Sequence, residues 1–195
     1  MNMERAPELA PLQIAKHAGL FFLTLATTAI AGMLWQNEMD LANISIGLPY
    51  AFSALFILSC HEFGHYFAAK YHRVRVTLPY YIPLPPIPAF INFGTMGAVI
   101  RTKQQIPTRK ALFDIGIAGP LAGFVASIIV LAYGFATLPG KEFLLGIHPD
   151  YDFALGASAS ADPAFALTFG RTLLYSGMEW LFSPAGAYVP PMTEM

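Results

Sequence analysis

The sequence predicts an all-α polytopic membrane protein. About three transmembrane helices are expected, with a membrane re-entrant β-hairpin or loop between the second and third and an interfacial helix near the C-terminus. Three observations predict this class. The 195 residues are 55% hydrophobic and only 12% charged, against about 25% charged in typical soluble domains. Three long runs carry little or no charge, and each approaches or exceeds the roughly 20 residues that cross about 30 Å of hydrocarbon. Between the second and third runs, prolines and aromatic residues cluster in a stretch that cannot be helical. A net charge of -1 gives no basis for nucleic-acid binding, and no nucleic-acid partner is expected. The single cysteine, Cys60, excludes an internal disulfide and reads as a small buried hydrophobe.

The first run, Ala18 to Trp35, is uncharged and closes on a tryptophan suited to the interface. The polar leader Met1–Lys16 has no small-residue cleavage site after the run, so this span is expected to remain as an anchor. The second run, Leu48 to Ala69, has Pro49 in a plausible first helical turn. Seven of the eleven basic residues (Lys70, Arg73, Arg75, Arg101, Lys103, Arg109, Lys110) lie between the second and third runs, and no acidic residue lies within 70–110. The connection Gln36–Gly47 carries Glu38 and Asp40 and no Lys or Arg. By the positive-inside rule, the N-terminus and the 70–110 segment are cytoplasmic.

Residues 74–100 are rich in proline (79, 83, 85, 86 and 88) and in apolar and aromatic side chains. They end in the glycine-punctuated, strand-like run Asn92–Ile100. Extended apolar backbone at membrane depth survives only where it is buried in protein or lines a cavity. This segment is therefore expected to flank the second helix, and an exposed strand edge there would accept an extended peptide. The alternative is a loop that only packs the helices.

The third run, Ile115 to Leu138, is uncharged, and small residues at Gly119 and Gly123 allow close helix packing. Asp114 is expected to cap this helix, and Pro120 to kink it. Pro139–Pro163 reads as a solvated loop in which His148-Pro149-Asp150 is not a metal site. Ala164–Phe182 reads as a helix that Arg171 and Glu179 keep from being a plain span, with Trp180 suited to the interface.

The chemistry lies in His61-Glu62-Phe63-Gly64-His65, inside the second run. On a helix, His-Glu-x-x-His sets two imidazoles at i and i+4 on one face, able to hold a single zinc ion beside a carboxylate base. A chance occurrence would strand these ionisable groups in hydrocarbon, at about 2.5–3.5 kcal/mol for each charged side chain. The motif begins about 20 Å along the helix from Leu48.

Four pieces, HEFGHYFAAKYHRV at 61–74, PYYIPLPP at 79–86, FGTMGAVIR at 93–101 and IPTRKALFDIGIAGPLAGF at 106–124, resemble the site-2 protease family of intramembrane zinc metalloproteases. The resemblance covers most of 48–138. It implies one membrane-embedded metalloprotease-like domain over 1–195, with its core at 48–138. It implies zinc on His61 and His65, Glu62 as the base, and a substrate-binding segment at Asn92, Phe93, Gly94, Thr95, Met96 and Gly97. The implied reaction is hydrolysis within a substrate's transmembrane helix, in a cell membrane or an organelle membrane of bacterial ancestry. Oligomeric state is left open.

The chain departs from the family pattern at two places. Gly123 stands where many members carry Asn. The family's third zinc ligand, an Asp in a Leu-Asp-Gly run, has no counterpart, since no Asp here precedes Gly. The expectation is a form truncated before that motif and weakly active, or a pseudoprotease that captures transmembrane segments without cutting them. A small ion transporter is a third class, unsupported by any internal repeat.

Overall fold

The computed structural model describes residues 11–36, 38–85, 92–147, 149–153, 157–158, 171–184 and 187. It is mostly helical. Helix α1 spans Pro11–Trp35, α2 Leu48–Tyr71, α3 Arg109–Ala136, α4 Lys141–Ile147 and α5 Leu173–Phe182. Strands β1 (Tyr80–Pro83) and β2 (Thr95–Val99) pair antiparallel, as do β3 (Tyr151–Asp152) and β4 (Ala157–Ser158). The chain divides into two compact units, residues 1–126 and 127–195.

Among the described residues, three helices are long and apolar enough to cross a membrane, namely α1, α2 with the 3-10 turn Leu41–Gly47 before it, and α3. Their large apolar side chains stay outward. Phe22, Leu23, Phe52, Phe56, Leu121 and Phe124 are all exposed, which is the pattern of a surface solvated by lipid. Each of the three expected runs is helical, and the helix limits differ from the hydropathy limits. α1 starts seven residues before Ala18, and α3 starts six before Ile115 and ends at Ala136 rather than Leu138.

α1 begins at proline, which costs nothing at a first helical position, and its 25 residues measure about 37 Å. Its buried residues are mostly small, with Thr24, Thr28, Ala29, Ala31 and Gly32 nearly inaccessible beside Met33 and the buried His17. This lets the start of α2 approach closely, since a Cβ on Gly32 would lie 2.8 Å from Gly47 O and from Tyr50 Cβ. Asp40 caps the 3-10 turn through its carboxylate to the Ala42 N–H at 2.9 Å. α2 ends without glycine, so Arg73 takes the left-handed conformation (φ 57°) that turns the chain. Val74 then folds back, its N–H donating to Ala69 O at 2.8 Å, into a small core of Ala69, Val74 and Ile115.

The segment between α2 and α3 is an antiparallel pairing over most of its length. Tyr80 stands opposite Val99 and Tyr81 opposite Ala98, and an irregularity then brings Pro83 opposite Thr95. The pairing continues outward through Thr77 N–H to Arg101 O (3.0 Å) and Lys103 N–H to Arg75 O (2.8 Å). Pro86 and Pro88 of the proline cluster lie outside the described residues.

Asp114 does not cap α3. The helix starts earlier, and Thr108 accepts the Ala111 N–H at 3.1 Å. Asp114 instead bonds His72 Nε2 at 2.8 Å, tying the end of α2 to the first turns of α3. α3 is assigned as one helix through Pro120, and that proline withholds the i+4 donor from Gly116 O.

In the second unit, Thr172 caps α5 by accepting the Tyr175 N–H at 3.1 Å. Arg171 and Glu179 form an ion pair, and Tyr175 meets Phe135 edge-on at 5.0 Å. The expected helix 164–182 is described only from Leu173, and residues 164–170 and His148 lie outside the described residues.

Candidate metal centre

One turn of α2 separates His61 from His65, and their Nε2 atoms face each other at 3.1 Å. Two nitrogens bound to one tetrahedral zinc at 2.0–2.1 Å stand about 3.3–3.4 Å apart, so the pair is already near the spacing a shared ion requires. Its orientation is fixed from α3. His65 Nδ1 lies 2.7 Å from Ile115 O, and because a carbonyl only accepts, Nδ1 carries the proton. The Nε2 lone pair is thereby presented towards His61, which is how metal-binding imidazoles are usually held. The residues present fit zinc.

Three glycines make room for these rings. A Cβ on Gly64 would lie 2.5 Å from Ala118 O, so Gly64 sets the contact between α2 and α3. A Cβ on Gly119 would overlap the His65 imidazole, Nε2 included. A Cβ on Gly123 would sit 3.2 Å from His61 Nδ1. The two α3 glycines, four residues apart, oppose the two α2 histidines, also four apart. The expected close packing is present, and its purpose is to seat the imidazoles.

Glu62 is buried, with 6% of its surface exposed, and lies beside the backbone amide of Ile100. It opens on a 370 Å³ cavity lined by His65, Ala98, Val99, Ile100, Leu112 and Gly116, among others. A histidine, a carboxylate and the end of a strand therefore meet around one space large enough for a peptide group.

The six residues expected to bind substrate divide in two, and none of them lines this cavity. Asn92 is buried, and its side chain donates to Pro85 O and accepts from Gly94 N–H, both at 2.7 Å. Gly94 has φ 76° and packs so tightly on α1 that a Cβ would overlap Thr28. Its carbonyl accepts the Thr27 hydroxyl at 2.7 Å. Asn92 O accepts Trp35 Nε1–H at 3.1 Å, and Phe93 stacks on the Trp35 ring. Residues 92–94 thus fasten the hairpin to α1. Thr95, Met96 and Gly97 lie in β2, and Met96 is 71% exposed.

Replacing Asn92 by Ala is expected to cost about 1–3 kcal/mol, because buried partners are left unsatisfied. The melting temperature in detergent should fall, while Met96→Ala should leave it unchanged. An unshifted Asn92→Ala melt would show the loop is held some other way.

Sequence reasoning reaches Ala98–Ile100 only as part of the 93–101 piece, and it does not single out the Ile115 carbonyl or Gly119 as site components. Matched four-residue spacings, His61/His65 and Gly119/Gly123, are the one sequence signal that pointed to the last. Among the described residues, no third His, Cys, Asp or Glu joins the pair. Asp114, in the first turns of α3, is engaged with His72.

The model of Peptidase family M50 matches residues 49–189. "Probable zinc metalloprotease EGY1, chloroplastic" of Arabidopsis thaliana is 37% identical over 91 residues, which is 47% of this chain and 16% of the relative. Its namesake in Oryza sativa subsp. japonica is 38% identical over 99 residues, 50% of this chain and 16% of the relative. The Arabidopsis EGY2 protein, similarly named, is 32% identical over 100 residues, 51% of this chain and 17% of the relative. The match therefore spans about a sixth of the length of these relatives. No solved structure matches the chain significantly.

Proposed function

The chain belongs to peptidase family M50, the site-2 protease family, and we propose that it hydrolyses peptide bonds within the transmembrane segments of membrane proteins. The observation that carries this reading is the facing Nε2 pair at 3.1 Å beside a buried glutamate that opens on a cavity. His61 and His65 would hold zinc, in keeping with the names of the relatives. When bound, that ion supplies a water that ionises near neutral pH.

Glu62 takes the proton of the attacking water and returns it to the departing amine. β2 has β1 as its only strand neighbour among the described residues. Its other edge accepts the substrate as an added strand, with Met96 and Gly97 at the contact. Asn92 and Gly94 position that edge rather than touch the substrate. The β1–β2 hairpin is re-entrant at membrane depth, and α5, with Leu173 and Trp180 outward, lies at the interface. The membrane is a bacterial-type cytoplasmic membrane or one of bacterial ancestry, and the chloroplastic relatives favour the latter.

With two ligands among the described residues, zinc is held loosely, because catalytic sites ordinarily use three. The test is elemental analysis of zinc per purified chain, wild type beside His65→Ala, with cleavage of a transmembrane reporter. Substoichiometric zinc that disappears in the variant, with slow cleavage, is the expected result. No zinc in either protein would remove the metalloprotease reading for this chain. That only two ligands meet among the described residues also favours a second reading, a pseudoprotease that binds transmembrane segments. Reporter binding without cleavage at saturating zinc would select it.

A further inference from the structure

A second hollow, of 420 Å³, lies at the N-terminal end of α1 and shares only Thr102 with the cavity beside Glu62. Gln13 and His17 line it from α1, and Thr77, Arg101 and Lys103 from the paired backbone that leads to the hairpin. Among the described residues, no acidic side chain lines it. Arg101 and Lys103 make no ion pair among the described residues. Lys16 is nearby, with its ammonium over the ring of Tyr80, another lining residue, at 5.7 Å.

The walls are firm where the charges are not. His17 is buried, and its Nδ1 bonds Pro79 O at 2.9 Å. Thr77 is buried, and its hydroxyl oxygen accepts the Arg101 N–H at 3.0 Å, which leaves its own proton free to be donated. Arg101 is held through its backbone, so its guanidinium can turn to a ligand without cost to the fold. Two cations that line one hollow, with no carboxylate between them among the described residues, repel, and an oxyanion relieves that repulsion.

Position narrows the ligand. The start of α1 meets this hollow, and the end of α2 is tied to the start of α3 by His72 and Asp114. Gly32 near the end of α1 contacts Gly47 before α2, so α1 and α2 run in opposite directions. With these helices read as membrane spans, the hollow falls among helix ends, where basic pockets suit phosphate-bearing headgroups. We propose that this hollow binds a phosphate oxyanion through Arg101 and Lys103, the source being an anionic phospholipid headgroup or free phosphate.

The experiment uses the full chain in detergent, titrated with phosphatidylglycerol or phosphatidylcholine and read by native mass spectrometry. A parallel arm reads the melting temperature in inorganic phosphate against chloride of equal ionic strength. Two double variants carry the same charge change. R101Q/K103Q alters the hollow, and R109Q/K110Q alters the start of α3 outside it.

Expected is one retained phosphatidylglycerol, preferred about tenfold over phosphatidylcholine. The preference should be lost in R101Q/K103Q and kept in R109Q/K110Q. Stabilisation by inorganic phosphate with the same dependence on variant would assign the site to free phosphate. No preference in the wild type for either probe, or equal loss in both variants, would overturn the proposal. Zinc content, which R101Q/K103Q should leave unchanged, checks that this variant is folded.

Discussion

Glu62→Gln is expected to reduce hydrolysis of a transmembrane reporter by about 10²–10⁴-fold, the range a positioned general base supplies, without lowering zinc content. The amide occupies the same volume at a site that is 6% exposed and can still meet the Ile100 amide through its oxygen. What it cannot do is accept a proton from water and deliver it to an amine. The neighbouring imidazoles cannot take over, because His65 Nδ1 is committed to Ile115 O and its Nε2 faces His61. Turnover retained within a factor of about ten, with zinc retained, would take Glu62 out of the chemistry. Loss of zinc together with turnover would mean that the carboxylate serves the site's structure.

Gly119→Ala is expected to do comparable damage by another route. The new methyl group would occupy the space of the His65 ring. The imidazole could move only by giving up its bond to Ile115 O and its alignment with His61 Nε2. Loss of such an orienting contact typically costs 10–100-fold in metal affinity or activity, and here the ligand itself is displaced. Zinc per chain should fall to the level of His65→Ala, with cleavage lost in parallel. Gly116→Ala is the control on the same helix, because a Cβ there meets nothing within 4 Å and zinc should remain. Equal zinc loss in both variants would point to a general intolerance of α3 to substitution.

Much of this arrangement was legible in the sequence because membrane spans and His-Glu-x-x-His both carry local signals. Uncharged runs mark hydrocarbon, and a four-residue spacing marks a helix face. Hydropathy locates the membrane-buried stretch rather than the helix end, however. Hydropathy therefore starts α3 after Arg109 and Lys110, and it offers Asp114 for a cap that Thr108 provides. The hairpin was harder still. Short, glycine-punctuated strands have no periodicity to read, and which end of 92–100 approaches the metal pair is decided by distant partners. Thr27 and Trp35 hold residues 92–94 on α1, which leaves Ala98–Ile100 beside Glu62. Gly119 shows the same limit, since its role exists only once α3 lies against α2.

The fastening of the hairpin to α1 bears on how this family should be dissected. The region matched by the family model starts at residue 49, after α1 has ended, and so leaves out the helix against which Asn92 and Gly94 rest. Helix α1 contributes no atom to the chemistry, yet it is the jig that registers one half of the machine against the other. A fragment beginning at Leu48 would keep His61, Glu62 and His65 and lose the helix on which residues 92–94 rest. The stretch that sets this hairpin is therefore longer than the pattern that marks the family.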